Sequence, residues 1–315
     1  MTRPAGVLRI ATRSSRLALW QARHVAGLLE SVGAVERVEL VEVSTAGDRD
    51  RVRPLSGLGE IGVFTREIQA AVLDRRADLA VHSLKDLPTE AVDGLVLAAV
   101  PARSSTADAL VLPASFDPVE MLADLPGRAV VGTGSIRRKA QLLAQRSDLQ
   151  IADVRGNVET RLRKLDDGEY GALVLAVAGL ERLDLVDRVS LRLEPPVMYP
   201  AVGQGALGVE CLAADDAVRE LVTAIDEPLT RAAVTAERGL LAGLRAGCHA
   251  PVGVASGNGD GGSLKLDAVV LSSDGRERIE ASAEADWGSA AGLGEQLART
   301  LLDRGADRLI AAGGS

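Results

Sequence analysis

The sequence predicts an α/β protein: two related lobes with mainly parallel sheets, followed by a small α+β domain. Three observations carry this. Short apolar runs alternate with stretches of helical period. The strand-to-turn-to-helix signature at Ile10-Ala11-Thr12-Arg13-Ser14 returns in similar form at Val131-Gly132-Thr133-Gly134-Ser135. Past residue 250, strand-like runs follow one another before a single helical stripe, the order of an α+β unit.

Residues 7–12 form an apolar run ending in a polar turn, and Ser14 or Ser15 offers an N-cap. Leu17, Trp20, His24, Leu28 and Val32 then follow at helical spacing. Strands are expected at 38–43, 79–82, 95–100 and 109–112, with a glycine-rich loop over 55–62. A helix is marked by Phe64, Ile68 and Val72, and a turn by 83–87. In the second lobe the spacing predicts strands at 129–133, 150–154 and 172–177. Helices are expected over 136–145 and from Asn157 to Leu165. Residues 194–200 are proline-rich and read as a crossover, and 206–211 as a strand returning to the first lobe. A helix over 230–244 precedes strands at 252–255, 264–271 and 278–283. Leu293, Leu297 and Leu301 make the helical stripe, and a last strand is expected at 308–312.

Composition narrows the function. The 315 residues are 47% hydrophobic, enough for more than one core, but only 2% aromatic. A formal net charge of −8 and so few stacking platforms argue against a nucleic-acid partner. Two cysteines, Cys211 and Cys248, make no disulfide framework, which points to a reducing, cytoplasmic compartment. No apolar signal core opens the chain and no run is long enough for a membrane span. The histidines and cysteines have no metal-ligand spacing.

Basic residues gather at strand ends, where open α/β sheets bind ligands. Arg9 and Arg13 flank the first turn, and Lys85 follows the strand at 79–82. Arg137 and Arg138 sit in the first turn of a helix led by Ser135, Arg155 follows another strand, and Arg161 lies one helical turn past Asn157. Cations at a helix N-terminus oppose the macrodipole at about 0.3–1 kcal/mol each, which an anion lying there would offset. Any one of these arginines could be a solvated surface group. Basic residues gathered at corresponding turns of two lobes point to a site for a polycarboxylate. Cys248 lies in the loop Ala246-Gly247-Cys248-His249-Ala250-Pro251, open both to a nucleophile and to a small buried side chain. Cys211 sits in an apolar run and reads as core. Asp86 reads as a turn-capping residue or as a carboxylate facing the ligand. Gly203-Gln204-Gly205 and 57–62 lack a nucleotide-binding pattern and read as hinge or lid loops.

In order along residues 8–251, these segments resemble hydroxymethylbilane synthase, the porphobilinogen deaminase family. The matching motifs are Leu8-Arg9-Ile10-Ala11-Thr12-Arg13, Ala80-Val81-His82-Ser83-Leu84-Lys85-Asp86-Leu87-Pro88 and Val131-Gly132-Thr133-Gly134-Ser135-Ile136-Arg137-Arg138. They continue with Val154-Arg155-Gly156-Asn157-Val158-Glu159-Thr160-Arg161-Leu162, Pro200-Ala201-Val202-Gly203-Gln204-Gly205-Ala206 and Gly247-Cys248. The resemblance implies two periplasmic-binding-protein-like lobes, at 1–103 with 204–223 and at 104–203, and a C-terminal domain at 224–315. It implies one covalent dipyrromethane cofactor on Cys248. The implied activity is head-to-tail condensation of four porphobilinogen molecules, with loss of ammonia and release of a linear tetrapyrrole. Asp86 is then the catalytic carboxylate. Lys85, Ser135, Arg137, Arg138 and Arg155 are expected to hold the cofactor, and Arg9, Arg13, Ser15, Arg155, Arg161 and Arg182 the substrate. A monomer without nucleic-acid or membrane partners is expected. Two departures stand out: Glu60 and Ile61 lie in a segment often lysine-rich in relatives, and Gly134 stands where relatives often have Ser. The rivals are a non-enzymatic two-lobe anion-binding protein and a cysteine hydrolase built on Cys248 and His249.

Overall fold

The computed structural model describes residues 6–44, 65–116, 119–247 and 250–313. In chain order the strands are β1 (Val7–Thr12), β2 (Arg37–Glu42), β3 (Leu79–Ser83), β4 (Leu95–Ala99), β5 (Asp108–Val111), β6 (Val130–Gly132) and β7 (Gln150–Ala152). They continue as β8 (Ala172–Ala176), β9 (Leu191–Leu193), β10 (Leu207–Leu212), β11 (Val252–Asn258), β12 (Leu264–Leu271) and β13 (Arg278–Ala285). The helices used below are α1 (Arg16–Ser31), α2 (Arg66–Leu73), α3 (Ile136–Gln145), α4 (Val158–Asp166), α5 (Val177–Glu181), α6 (Asp216–Thr223), α7 (Pro228–Gly243), α8 (Ala290–Asp303) and α9 (Ala306–Gly313).

Two five-stranded sheets share one plan. Their orders are β2-β1-β3-β10-β4 and β7-β6-β8-β5-β9. In the first, β1 lies between β2 and β3 as a parallel neighbour, and in the second β6 lies in the same way between β7 and β8. The next place in each sheet is taken by an antiparallel strand from elsewhere in the chain, β10 beside β3 and β5 beside β8. The repeated sequence signature is therefore a repeated topology, and 206–211 does return to the first sheet.

Two compact units result, residues 1–104 with 206–231 and residues 105–205 with 232–315. In the first, Ala22, Val25 and Leu29 of α1 recur at helical spacing and pack with Leu8, Ile10, Leu79 and Val209, all buried. Ser15 caps α1, accepting from the Ala18 N–H at 3.3 Å. In the second, Leu110, Val131 and Val174 pack on Leu142 of α3. On the sheet's other side, Val111, Leu173 and Leu175 pack on Leu162 and Leu165 of α4. The antiparallel sheet β11-β12-β13 also belongs to this unit. Leu264, Leu266, Ala268 and Val270 alternate along β12 and meet Leu293, Leu297 and Leu301 of α8. Val269 and Leu271, on the opposite face of β12, pack on Ala140 of α3.

The expected strand at 308–312 is instead part of α9. Gly305, at φ +88°, ends the approach from α8, and Ala306 and Leu309 then bury one face at a three-residue spacing. The short elements α5, α6 and β9, of five, eight and three residues, lie outside the sequence reading because such lengths carry too little periodicity.

Candidate functional site

In the first unit β1 and β3 are parallel neighbours, Ile10 opposite Leu79. Their carboxyl ends therefore deliver residues 13–15 and 83–86 to the same sheet edge. A 3₁₀ turn over Leu84–Asp86 follows β3 directly, with Leu84 buried as its anchor, Lys85 half-buried and Asp86 exposed. Buried Gln21 of α1 donates from Nε2 to Ser83 Oγ at 2.8 Å, tying the helix to this turn. Arg13 is half-buried, and Ser15 spends its hydroxyl oxygen on the α1 cap. Below the edge, His82 Nε2 stands 3.0 Å from Glu210 Oε2, with an angle outside hydrogen-bond geometry. Gln69 Nε2 donates to the same oxygen at 2.9 Å.

Arg9 sits in mid-strand, and its contacts describe a structural role. Its Nε and Nη2 donate to the Asp78 carboxylate at 3.2 and 2.9 Å, and its backbone N–H adds a third bond at 2.8 Å. That carboxylate holds the Arg9 guanidinium above its ordinary pKa, against the opposing effect of burial.

In the second unit Arg137 and Arg138 are buried at the start of α3, 4% and 6% exposed, where solvated arginines would stand out in water. They share one carboxylate. Arg138 donates from Nε and Nη2 to Asp108 Oδ1 at 3.1 and 2.7 Å and from Nη1 to the Val174 carbonyl at 2.9 Å. Arg137 Nη2 lies 2.8 Å from Asp108 Oδ2. The angle there is poor for a hydrogen bond, but Coulomb attraction follows distance, so this is an ion pair. Arg137 Nη1 donates to the Tyr199 carbonyl. Gln141 brackets the same residue, accepting from the Tyr199 N–H at 2.7 Å and donating to its carbonyl at 3.1 Å. The Arg137 Nε–H is buried and has no partner among the described residues. Burial, followed by the charge of Arg138, lowers the Arg137 pKa, and Asp108 opposes both. The anion that the sequence called for at this helix start is thus in part the protein's own.

Ser135 is the N-cap residue of α3, but its side chain makes no cap bond; its N–H donates to Thr133 Oγ1 at 3.2 Å. A Cβ at Gly134 would lie 2.9 Å from Asp153 Oδ1, so the bare glycine accommodates that acid. Asp153 also lies 3.6 Å from Arg155 Nε. Asn157 caps α4 by accepting from the Thr160 N–H at 2.9 Å. Arg161 Nε reaches back to the Gly156 carbonyl at 2.8 Å. Arg182, buried at the end of α5, donates to the Gly205 carbonyl at 2.6 Å, and burial lowers its pKa to about 10.

Cys248 and His249, and the 57–62 segment with Glu60 and Ile61, lie outside the described residues. Among the described residues no helix is long and apolar enough to cross a membrane, and no acid, histidine and cysteine cluster could hold a metal. Sequence reasoning passed over Asp108, Asp78 and Gln21, and read Gln204 as part of a hinge or lid loop and of a family motif. Asp108 did carry a signal: a lone acid in Ala107-Asp108-Ala109-Leu110-Val111, where a buried charge requires partners.

The donors of each unit suit carboxylates such as those of dipyrromethane: Arg13 and Lys85 at the sheet edge of the first, and Arg137, Arg138 and Arg155 at that of the second, where one buried guanidinium N–H has no partner among the described residues. Family comparison agrees. The model described as "Porphobilinogen deaminase, dipyromethane cofactor binding domain" matches residues 8–220, and "Porphobilinogen deaminase, C-terminal domain" matches residues 231–303. The porphobilinogen deaminase of Desulforudis audaxviator is 48% identical, covering 96% of this chain and 96% of that one. That of Acidothermus cellulolyticus is 46% identical, covering 97% and 92%. Among solved structures, the methionine binding protein MetQ is 11% identical with a TM-score of 0.44, over 70% of this chain and 90% of that one. This last likeness is too distant to argue from. The matches along nearly the whole length, with their motif residues at the strand ends described above, mean that this chain belongs to the porphobilinogen deaminase family.

Proposed function

We propose that this chain is a hydroxymethylbilane synthase. It condenses four porphobilinogen molecules head to tail, releases ammonia, and hydrolyses off the linear tetrapyrrole. The observation that carries the reading is the ordered match of both family domains across residues 8–303. A non-enzymatic anion-binding role is set aside, because the relatives that match along nearly the whole chain are deaminases.

A dipyrromethane bound by thioether to Cys248, one per chain, supplies the primer for chain growth. Each pyrrole unit carries two carboxylates, so the protein must offer many cations at fixed positions. Lys85, Ser135, Arg137, Arg138 and Arg155 hold the cofactor's acetate and propionate groups. Arg13, Ser15, Arg155, Arg161 and Arg182 hold those of the substrate, while Arg9 is committed to Asp78. Asp86, on a turn anchored by Leu84, is the carboxylate that would stabilise the positive charge developing as ammonia leaves. The protein acts as a monomer in the cytoplasm.

Intact-protein mass spectrometry tests the reading. The wild-type chain is expected to carry a dipyrrole adduct that Cys248→Ala lacks, and Asp86→Asn to keep the adduct while losing nearly all turnover. An unmodified mass from fully active protein would contradict the covalent primer. Near-normal turnover in Asp86→Asn would remove Asp86 from the chemistry.

A further inference from the structure

We propose that Asp108 is the positioning residue of the arginine pair, fixing Arg138 as an anchor and leaving Arg137 as the member that presents donor capacity to a ligand carboxylate. The proposal rests on the reading that this pair binds carboxylates.

Asp108 opens β5 opposite Ala176, the last residue of β8, and its side chain is fully buried. Its Oδ1 accepts from Arg138 Nε and Nη2 and from Gln204 Nε2, the last at 3.0 Å, while Oδ2 faces Arg137. Arg138 places three of its five N–H donors on Asp108 and the Val174 carbonyl, which fixes its plane. Arg137 keeps its buried Nε–H unmatched. Two guanidinium groups against one carboxylate leave a single net positive charge. Without Asp108, two adjacent cations would lie buried at a helix start whose dipole also repels them. Asp108 therefore keeps both groups charged and holds their planes, and it caps the positive charge offered to a ligand.

Asp108 is held in turn. Gln204 Nε2 also donates to the Thr106 carbonyl at 2.7 Å, and the neighbouring Gly203 N–H donates to Glu237 Oε2 at 2.7 Å. Glu237 lies on α7, fully buried, and accepts at Oε1 from Ser256 of β11 at 2.6 Å. Hydrogen bonds on the adjacent residues Gly203 and Gln204 thus link the helix preceding Cys248 to the arginine pair.

The test compares full-length wild type, Asp108→Asn and Asp108→Glu, with Leu165→Ala as a packing control in the same unit. Displacing a positioned group by about 1 Å costs up to about 100-fold. Asp108→Asn is accordingly expected to raise KM for porphobilinogen about 10- to 100-fold, with a smaller effect on kcat, and to lower the fraction of chains carrying the adduct. Asp108→Glu keeps the charge on a longer arm and should fall between. Leu165→Ala should lower Tm while leaving KM and adduct occupancy at wild-type values. Wild-type KM and occupancy in Asp108→Asn, or in Asp108→Glu where the Asn variant does not fold, would overturn the proposal. Wild-type protein with neither adduct nor turnover would instead remove the functional reading beneath it.

Discussion

Arg9→Leu separates an arginine that builds the first unit from one that grips substrate. The Arg9 side chain makes two charge-assisted bonds to Asp78, and the two side chains are 15% and 10% exposed. Truncation leaves a nearly buried carboxylate with the Arg9 backbone N–H still donating to it. Hydrogen bonds to charged groups contribute about 1.5–3 kcal/mol, and stranding one partner of a buried pair costs more. Residual exposure reduces this, so the expected loss is about 2–3 kcal/mol. The Arg9 pKa is raised by its partner, so this stabilisation is complete below the guanidinium's ordinary pKa and is lost only as pH climbs past the folded pKa. The deficit should therefore be flat from about pH 6 to 9. Each unit holds one of the two tryptophans, Trp20 in the first and Trp287 in the second. A Trp287→Phe background leaves Trp20 as reporter, and urea unfolding followed by its fluorescence reads the first unit without assuming two-state behaviour of the whole chain. KM for porphobilinogen should stay near wild type in Arg9→Leu and rise in Arg13→Leu. Lost turnover at an unchanged unfolding midpoint would refute the structural assignment of Arg9.

Thiol counting probes both cysteines: native adduct-bearing enzyme should show no fast-reacting thiol, because Cys211 is fully buried and Cys248 is substituted. The same enzyme unfolded should show one, and two would contradict the thioether. Burial pushes the Cys211 thiol up from 9.0 to about 11. The unfolded chain then ionises first, so stability should fall by about 2–3 kcal/mol as pH rises from 9 toward 11, and denaturation midpoints of Cys211→Ala should show that much less loss. Gly156 has φ +105°, and a Cβ there would stand 2.7 Å from Thr160 Cγ2. Gly156→Ala should cost about 1–3 kcal/mol and shift the carbonyl that Arg161 binds, raising KM alongside a lower unfolding midpoint.

Local chemistry was legible along the chain. The 136–145 helix appears with the expected bounds because apolar spacing acts within a few residues, although Ser135 at its head makes no side-chain cap bond. The β1–α1 turn with Ser15 and the start of α4 at Asn157 are equally local, and there the cap bonds do form. Misreading came where a short apolar run had two uses. Residues 308–312 became a helix because the partners of Ala306 and Leu309 in the C-terminal core impose a three-residue spacing that the run itself does not announce.

By itself the sequence determined the paired lobes, the gathering of cations at strand ends and the family's ordered motifs, all of which depend on neighbours in the chain. Which cations are already neutralised was a tertiary decision. Asp108 lies 30 residues from Arg138 and 96 from Gln204, and Asp78 lies 69 from Arg9. A charge is paired or left for a ligand according to what burial brings within a few ångströms of it, and those partners come from strands that only folding sets side by side.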